Sequence, residues 1–108
     1  MQAFAWKLVT KDKKNPEYML QVDNISGIRA RNKALKAAQG WKMFGSGRDP
    51  DSKNELLIFT RKFDTMREWI KWAKEFPFSL QELNRNNKPK PIKLGLQYQK
   101  TKHRKKKN

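Results

Sequence analysis

Residues 4–10 alternate large apolar side chains (Phe4, Trp6, Leu8) with Ala5, Lys7 and Val9, the period-two pattern of a half-buried strand. A polar turn over 11–16 leads to a second strand over 17–22, where Tyr18, Leu20 and Val22 share a face. Ser26 then stands as N-cap for an alanine-rich helix over about 27–39, and Gly40 takes the place of a helix-terminating glycine. Residues 41–44 predict a third strand, 45–54 a longer turn and 55–63 a fourth strand. Asp64 caps a second helix reaching about Glu75, which Pro77 stops. Ser79 and Glu82 have capping-box spacing and predict one further helical turn or two.

The two halves correspond. Residues 6–8 match 41–43 at an offset of 35, while 17–20 match 55–58 and 25–29 match 63–67 at an offset of 38. The extra residues fall in the hairpin turn, where insertions are best tolerated. The expected fold is therefore α+β: a duplicated ββα unit giving a four-stranded antiparallel sheet with two helices on one face, followed by a basic C-terminal tail. Positions expected to face the helices are Trp6, Leu8, Tyr18, Leu20, Trp41, Met43, Leu56 and Ile58. The helices are expected to answer with Ile28, Ala34, Leu35 and Ala38, and with Met66, Trp69, Ile70 and Ala73.

Alternation assigns Lys7, Val9, Met19, Gln21, Lys42, Phe44, Leu57, Phe59 and Arg61 to the opposite face. A sheet surface mixing aromatic with basic side chains suits unpaired nucleic acid, because rings stack on bases while cations hold phosphates. Leu57 and Phe59 make that surface greasy, so the alternative is a face covered by the tail or by a second copy in a homodimer.

Charge sharpens this picture. The 108 residues carry 26 Lys+Arg against 10 Asp+Glu, a formal net charge of +16. Such self-repulsion is relieved by a polyanion, and nucleic acids and anionic membranes are the cell's polyanions. Hydrophobic residues make up 36% of the chain and aromatics 11%, enough for part of it to bury a core. The balance is uneven: residues 1–86 hold 17 basic and 10 acidic side chains, and residues 87–108 hold nine basic and no acidic ones. The expected division is thus a compact domain over 1–86 and a polybasic tail over 87–108 that orders only on a partner. Within the domain, the first helix carries Arg29, Arg31, Lys33 and Lys36 and no acid. The tail adds Lys100, Lys102, Arg104, Lys105, Lys106 and Lys107.

Catalytic signals are poor. There is no Cys, which removes disulfides, thiolate metal sites and thiol nucleophiles. His103 is the single histidine and sits in the tail. Asp49, Asp51 and Glu55 lack the glycine and further oxygen ligand of a calcium loop and read as turn chemistry. The Gly45–Gly47 stretch lacks the Lys-Ser/Thr that completes a P-loop. No cofactor and no metal is expected.

The sequence therefore predicts a nucleic-acid-binding protein rather than an enzyme, with RNA favoured over DNA. Phosphate contacts would come from Lys7, Arg29, Arg31, Lys33, Lys36, Lys42, Arg61 and the tail cations, and stacking from Phe44 and Phe59. The expected partner is RNA or DNA, free or within a ribosome or other nucleoprotein. The longest apolar run spans only residues 56–59, and neither a signal-peptide run nor a lipidation motif is present. A cytoplasmic location is expected, or a nuclear one in a eukaryotic host, without membrane attachment. Two alternatives remain open: a small ribosome-directed RNA nuclease using His103 or Tyr98, and a protein-interaction module with a solubilising tail.

Overall fold

Two strands rich in β-branched and aromatic residues, β2 (Glu17–Ile25) and β4 (Glu55–Lys62), pair antiparallel, and this pairing sets the phase of the sheet. Leu20 lies opposite Phe59 and Val22 opposite Leu57, all four buried. The computed structural model describes residues 1–8, 16–83 and 89–90. Around the central pair lie β1 (Gln2–Lys7), α1 (Gly27–Ala37), β3 (Lys42–Arg48), α2 (Met66–Glu75), β5 (Ser79–Leu83) and the two-residue β6 (Pro89–Lys90). The strand order is β3-β4-β2-β1-β5-β6.

The fold is α+β, but the sheet differs from the expected four antiparallel strands. β5 adds a fifth strand parallel to β1, and β6 extends it by two residues, so the sheet is mixed. Residues 79–82 were the expected helical turn. A capping-box spacing is a weak local preference, whereas the open edge of β1 offers β5 a full ladder of backbone hydrogen bonds. The expected domain break after residue 86 falls between β5 and β6, where residues 84–88 lie outside the described residues.

Strand–strand–helix order does occur twice, yet the halves do not correspond residue by residue as expected. The helix N-caps are Ser26 and Thr65, and the inward alanines are Ala34 and Ala73, pairs 39 apart rather than 38. Side chains alternate across a strand, so a one-residue slip exchanges its two faces. β4 accordingly buries Leu57 and Phe59, while Leu56 and Ile58 lie on the other side of the sheet. β1 is also inverted: Ala3 and Ala5 are buried, and Phe4 and Trp6 point away from the helices. Only β2 keeps its expected phase, with Tyr18, Leu20 and Val22 inward. On β3, Met43 is 44% exposed rather than buried, beside a register shift in an edge strand.

Both helices pack on the same face. α1 buries Ala34, with Ala38 just beyond its end, and α2 buries Trp69 and Ala73. Ile28 is 75% exposed and Met66 37% exposed rather than buried, although the Met66 Sδ accepts from the Tyr18 hydroxyl at 3.8 Å. Aromatic rings meet one another within this core. Tyr18 stacks on Trp69, Phe63 meets Trp69 edge-on at 5.7 Å, and Trp41 meets Trp72 at 4.9 Å. Ser26 holds the N-cap position of α1 without a side-chain capping bond. For α2 the cap is Thr65 rather than Asp64, its hydroxyl accepting from the Glu68 N–H at 3.2 Å. Gly40 has φ +93°, the left-handed conformation that its place after α1 requires.

Candidate nucleic-acid interface

The side of the sheet away from the helices is read from its cross-strand register. One row runs Lys42, Thr60, Met19, Trp6, Leu83 from β3 to β5. The next runs Gly45, Ile58, Gln21, Phe4, Gln81. None of the apolar members Phe4, Trp6, Met19, Leu56, Ile58 and Leu83 belongs to, or packs against, the core beneath the helices. Phe4 and Trp6 sit two residues apart on one strand, so their rings stand side by side on the same surface. Polar side chains are interleaved: Gln2, Gln21, Thr60, Ser79 and Gln81. Met19 and Gln21 are where alternation put them. Phe59, expected here, is 3% exposed in the core. Phe44 is 67% exposed at the register shift of edge strand β3.

The expected cations do not gather at one place. Lys7 and Arg61 flank Tyr18 in the ladders, which puts both on the helix side of the sheet rather than beside Lys42. The Arg61 guanidinium lies 4.5 Å from the centre of the Phe63 ring, a cation–π contact. Arg31 is held by Glu55 at 3.3 Å. Arg29 is exposed on α1. Lys33 and Lys36 line a groove of about 630 Å³ with Trp72, Phe76 and Phe78, on the opposite side of the molecule from Phe4 and Trp6. Lys100, Lys102, Arg104, Lys105, Lys106 and Lys107 lie outside the described residues, as do Val9, Tyr98 and His103.

Lys42 and Arg61 nevertheless meet at the end of the sheet. A hollow of about 350 Å³ is lined by Glu17, Gly40, Lys42, Thr60, Arg61 and Lys62. Among the described residues the single ion pair is Arg31 with Glu55, so none of these three cations is paired with a described carboxylate. Lys62 escaped the reading of the sequence. Its signal was the adjacent pair Arg61 and Lys62, which alternation sends to opposite sides of one strand end.

Acidic groups are spent locally. Asp49 accepts from the backbone N–H of Asp51 at 2.7 Å and of Ser52 at 3.3 Å, the turn chemistry expected of this loop. Asp23 accepts from Gln21 at 2.9 Å, and Glu17 from Thr60 at 3.4 Å. Glu82 is buried and accepts from the Tyr18 hydroxyl at 3.5 Å. Burial first, and the Glu82 charge and hydrogen bond second, push the Tyr18 hydroxyl well above its ordinary pKa. Among the described residues no group of three His, Asp or Glu side chains is placed to hold a metal ion, and no helix is long and apolar enough to cross a membrane. No family model matches the chain, and no curated protein or solved structure shows significant similarity to it.

Proposed function

We propose that this protein binds nucleic acid, RNA in preference to DNA, and does not catalyse a reaction on it. One observation carries this reading: a sheet face that neither helix covers bears Phe4 and Trp6 side by side, in a chain of net charge +16. Rings on an open sheet stack with bases of any identity, and excess cations hold the phosphates that accompany them. The interleaved amides of Gln21 and Gln81 offer donors and acceptors to base edges. Aromatic stacking therefore moves from Phe59 to Phe4 and Trp6, with Phe44 still exposed on the edge strand β3. RNA is favoured because its unpaired loops and bulges present splayed bases, which also makes a ribosome or other nucleoprotein the natural partner. A cytoplasmic location goes with that partner. Asp23, Asp49, Glu17 and Glu55 each have a hydrogen-bond or ion-pair partner within the fold, which goes with a structural part for them in a binding protein.

The apolar content of the same face (Leu56, Ile58, Leu83) favours a second reading, a homodimer closed sheet against sheet. Against it stand the polar side chains in every row, since a dimer core is more apolar than ordinary surface. Filter binding to single- and double-stranded RNA and DNA at two salt concentrations, with sedimentation of the free protein, separates the two. Salt-sensitive binding by a monomer supports the proposal. A stable dimer indifferent to every nucleic acid sinks it.

A further inference from the structure

We infer that the hollow formed by Lys42, Arg61 and Lys62 is a phosphate subsite for a single strand whose bases stack on Trp6 and Phe4, so that the strand crosses the sheet from β1 to β3. The inference rests on the nucleic-acid reading above and names the class of ligand and its path.

Four observations converge on that path. Lys42 and Trp6 lie in the same cross-strand row, separated by Thr60 and Met19, with no charged side chain between them. Three strand spacings put them about 14 Å apart, a span that a short stretch of single strand bridges. β3, the edge the strand would leave by, carries Gly45 in the adjoining row, and a side chain added there would meet nothing within 4 Å. The exit is open. At the hollow, three cations face one carboxylate, that of Glu17.

Arg61 is held in place before any ligand arrives. Its guanidinium lies over Phe63, and its Nη1 is 3.0 Å from where a Cβ on Gly40 would be. The missing side chain of Gly40 is what admits it. A planar fork fixed in this way suits two oxygens of one phosphate, while the exposed Lys42 and Lys62 add mobile charge. A duplex does not fit the arrangement, because its bases are stacked on one another and inaccessible to Phe4 and Trp6.

The test uses the full chain and fluorescence anisotropy with a labelled oligouridine of about ten nucleotides, and a duplex of the same length as the second probe. The double variant Lys42→Ala/Lys62→Ala is expected to weaken single-strand binding about tenfold and to flatten the log–log salt slope by about 0.7 to 1.4. Glu17→Gln is expected to tighten binding about two- to threefold, through loss of like-charge repulsion toward phosphate. Trp6→Leu, checked for an unchanged melting temperature, is expected to weaken binding without altering the slope. If the double lysine variant keeps the parent's affinity and slope while Trp6→Leu still weakens binding, the subsite is wrong and the stacking face stands. A duplex bound as tightly as the single strand overturns the path. Failure of the parent to bind any probe overturns both this inference and the function on which it rests.

Discussion

Tyr18 lies flat against Trp69, their ring centroids 3.9 Å apart and their planes 15° from parallel. The contact joins β2 to α2, and Phe63 meets both rings edge-on, at 6.1 Å from Tyr18 and 5.7 Å from Trp69. Tyr18 and Trp69 are essentially buried. Trp69→Ala is therefore expected to destabilise the fold by about 3–5 kcal/mol, the usual penalty for deleting a buried aromatic ring. Urea unfolding followed by far-ultraviolet circular dichroism measures it. A loss below about 1 kcal/mol would show that α2 is held by other contacts.

The same tyrosine makes stability sensitive to alkali. Its folded pKa is raised, so the native state retains the phenolic proton where the unfolded chain has lost it. Its contribution is fully present below about pH 10 and falls by about 1.4 kcal/mol per pH unit above it. Tyr18→Phe is expected to remove that share of the slope. Thermal melts of both proteins from about pH 9 to 11 decide the matter. Parallel curves would mean that the hydroxyl reaches solvent.

Phe59 and Trp6 should behave as opposites. Phe59→Ala is expected to lose about 3–5 kcal/mol of stability while the folded fraction binds a single strand normally. Trp6→Ala is expected to lose about 1–3 kcal/mol of single-strand affinity with a much smaller change in melting temperature. The reverse ordering would return the binding face to the helix side of the sheet.

Binding should depend steeply on salt. About five to eight neutralised phosphates, from the hollow and the tail together, give a single-strand log–log slope of about −3.5 to −6. A titration of affinity from low to moderate salt measures it directly. A slope near zero would rule out the electrostatic account.

Gly40 is expected to resist substitution. Its φ is +93°, and the Arg61 Nη1 stands 3.0 Å from the place an alanine Cβ would take, so Gly40→Ala meets backbone strain and requires the tip of the Arg61 side chain to shift by a few tenths of an ångström. A loss of about 1–3 kcal/mol is expected, with weaker single-strand binding from the displaced guanidinium. Equal stability and affinity in the variant would show that Arg61 is free to swing away.

Some of this was legible along the chain and some was not, for identifiable reasons. β2 has its large apolar side chains mainly in one phase, Tyr18, Leu20 and Val22, and its orientation followed at once. β4 carries apolar pairs in both phases, Leu56 with Ile58 and Leu57 with Phe59, so alternation cannot choose between them. The choice is made by pairing with β2, a contact between residues far apart in sequence. β1 misleads in another way. Its larger side chains are outward, and the small Ala3 and Ala5 are what it gives to the core. β5 has a helix-start signature and becomes a strand only because β1 has an unpaired edge. For the candidate site, the cationic character of Lys42 and Arg61 was visible, but their convergence with Lys62 depends on where three strands end.

The parallel pairing of β1 with β5 also dictates an order of events when the chain is made. β1 leaves the ribosome among the first of the described residues and can form a hairpin with β2 almost immediately, since the two are neighbours in sequence. Its other edge has to wait for residues 79–83, after nearly the whole described chain has emerged. Throughout that interval an unpaired strand edge flanked by Phe4 and Trp6 stands open, the kind of surface on which nascent chains associate wrongly. Closing this sheet is a late, long-range step, and until it happens the residues already made, 1–78, carry 16 basic against nine acidic side chains, which gives neighbouring copies only a modest like-charge repulsion to hold their unfinished edges apart.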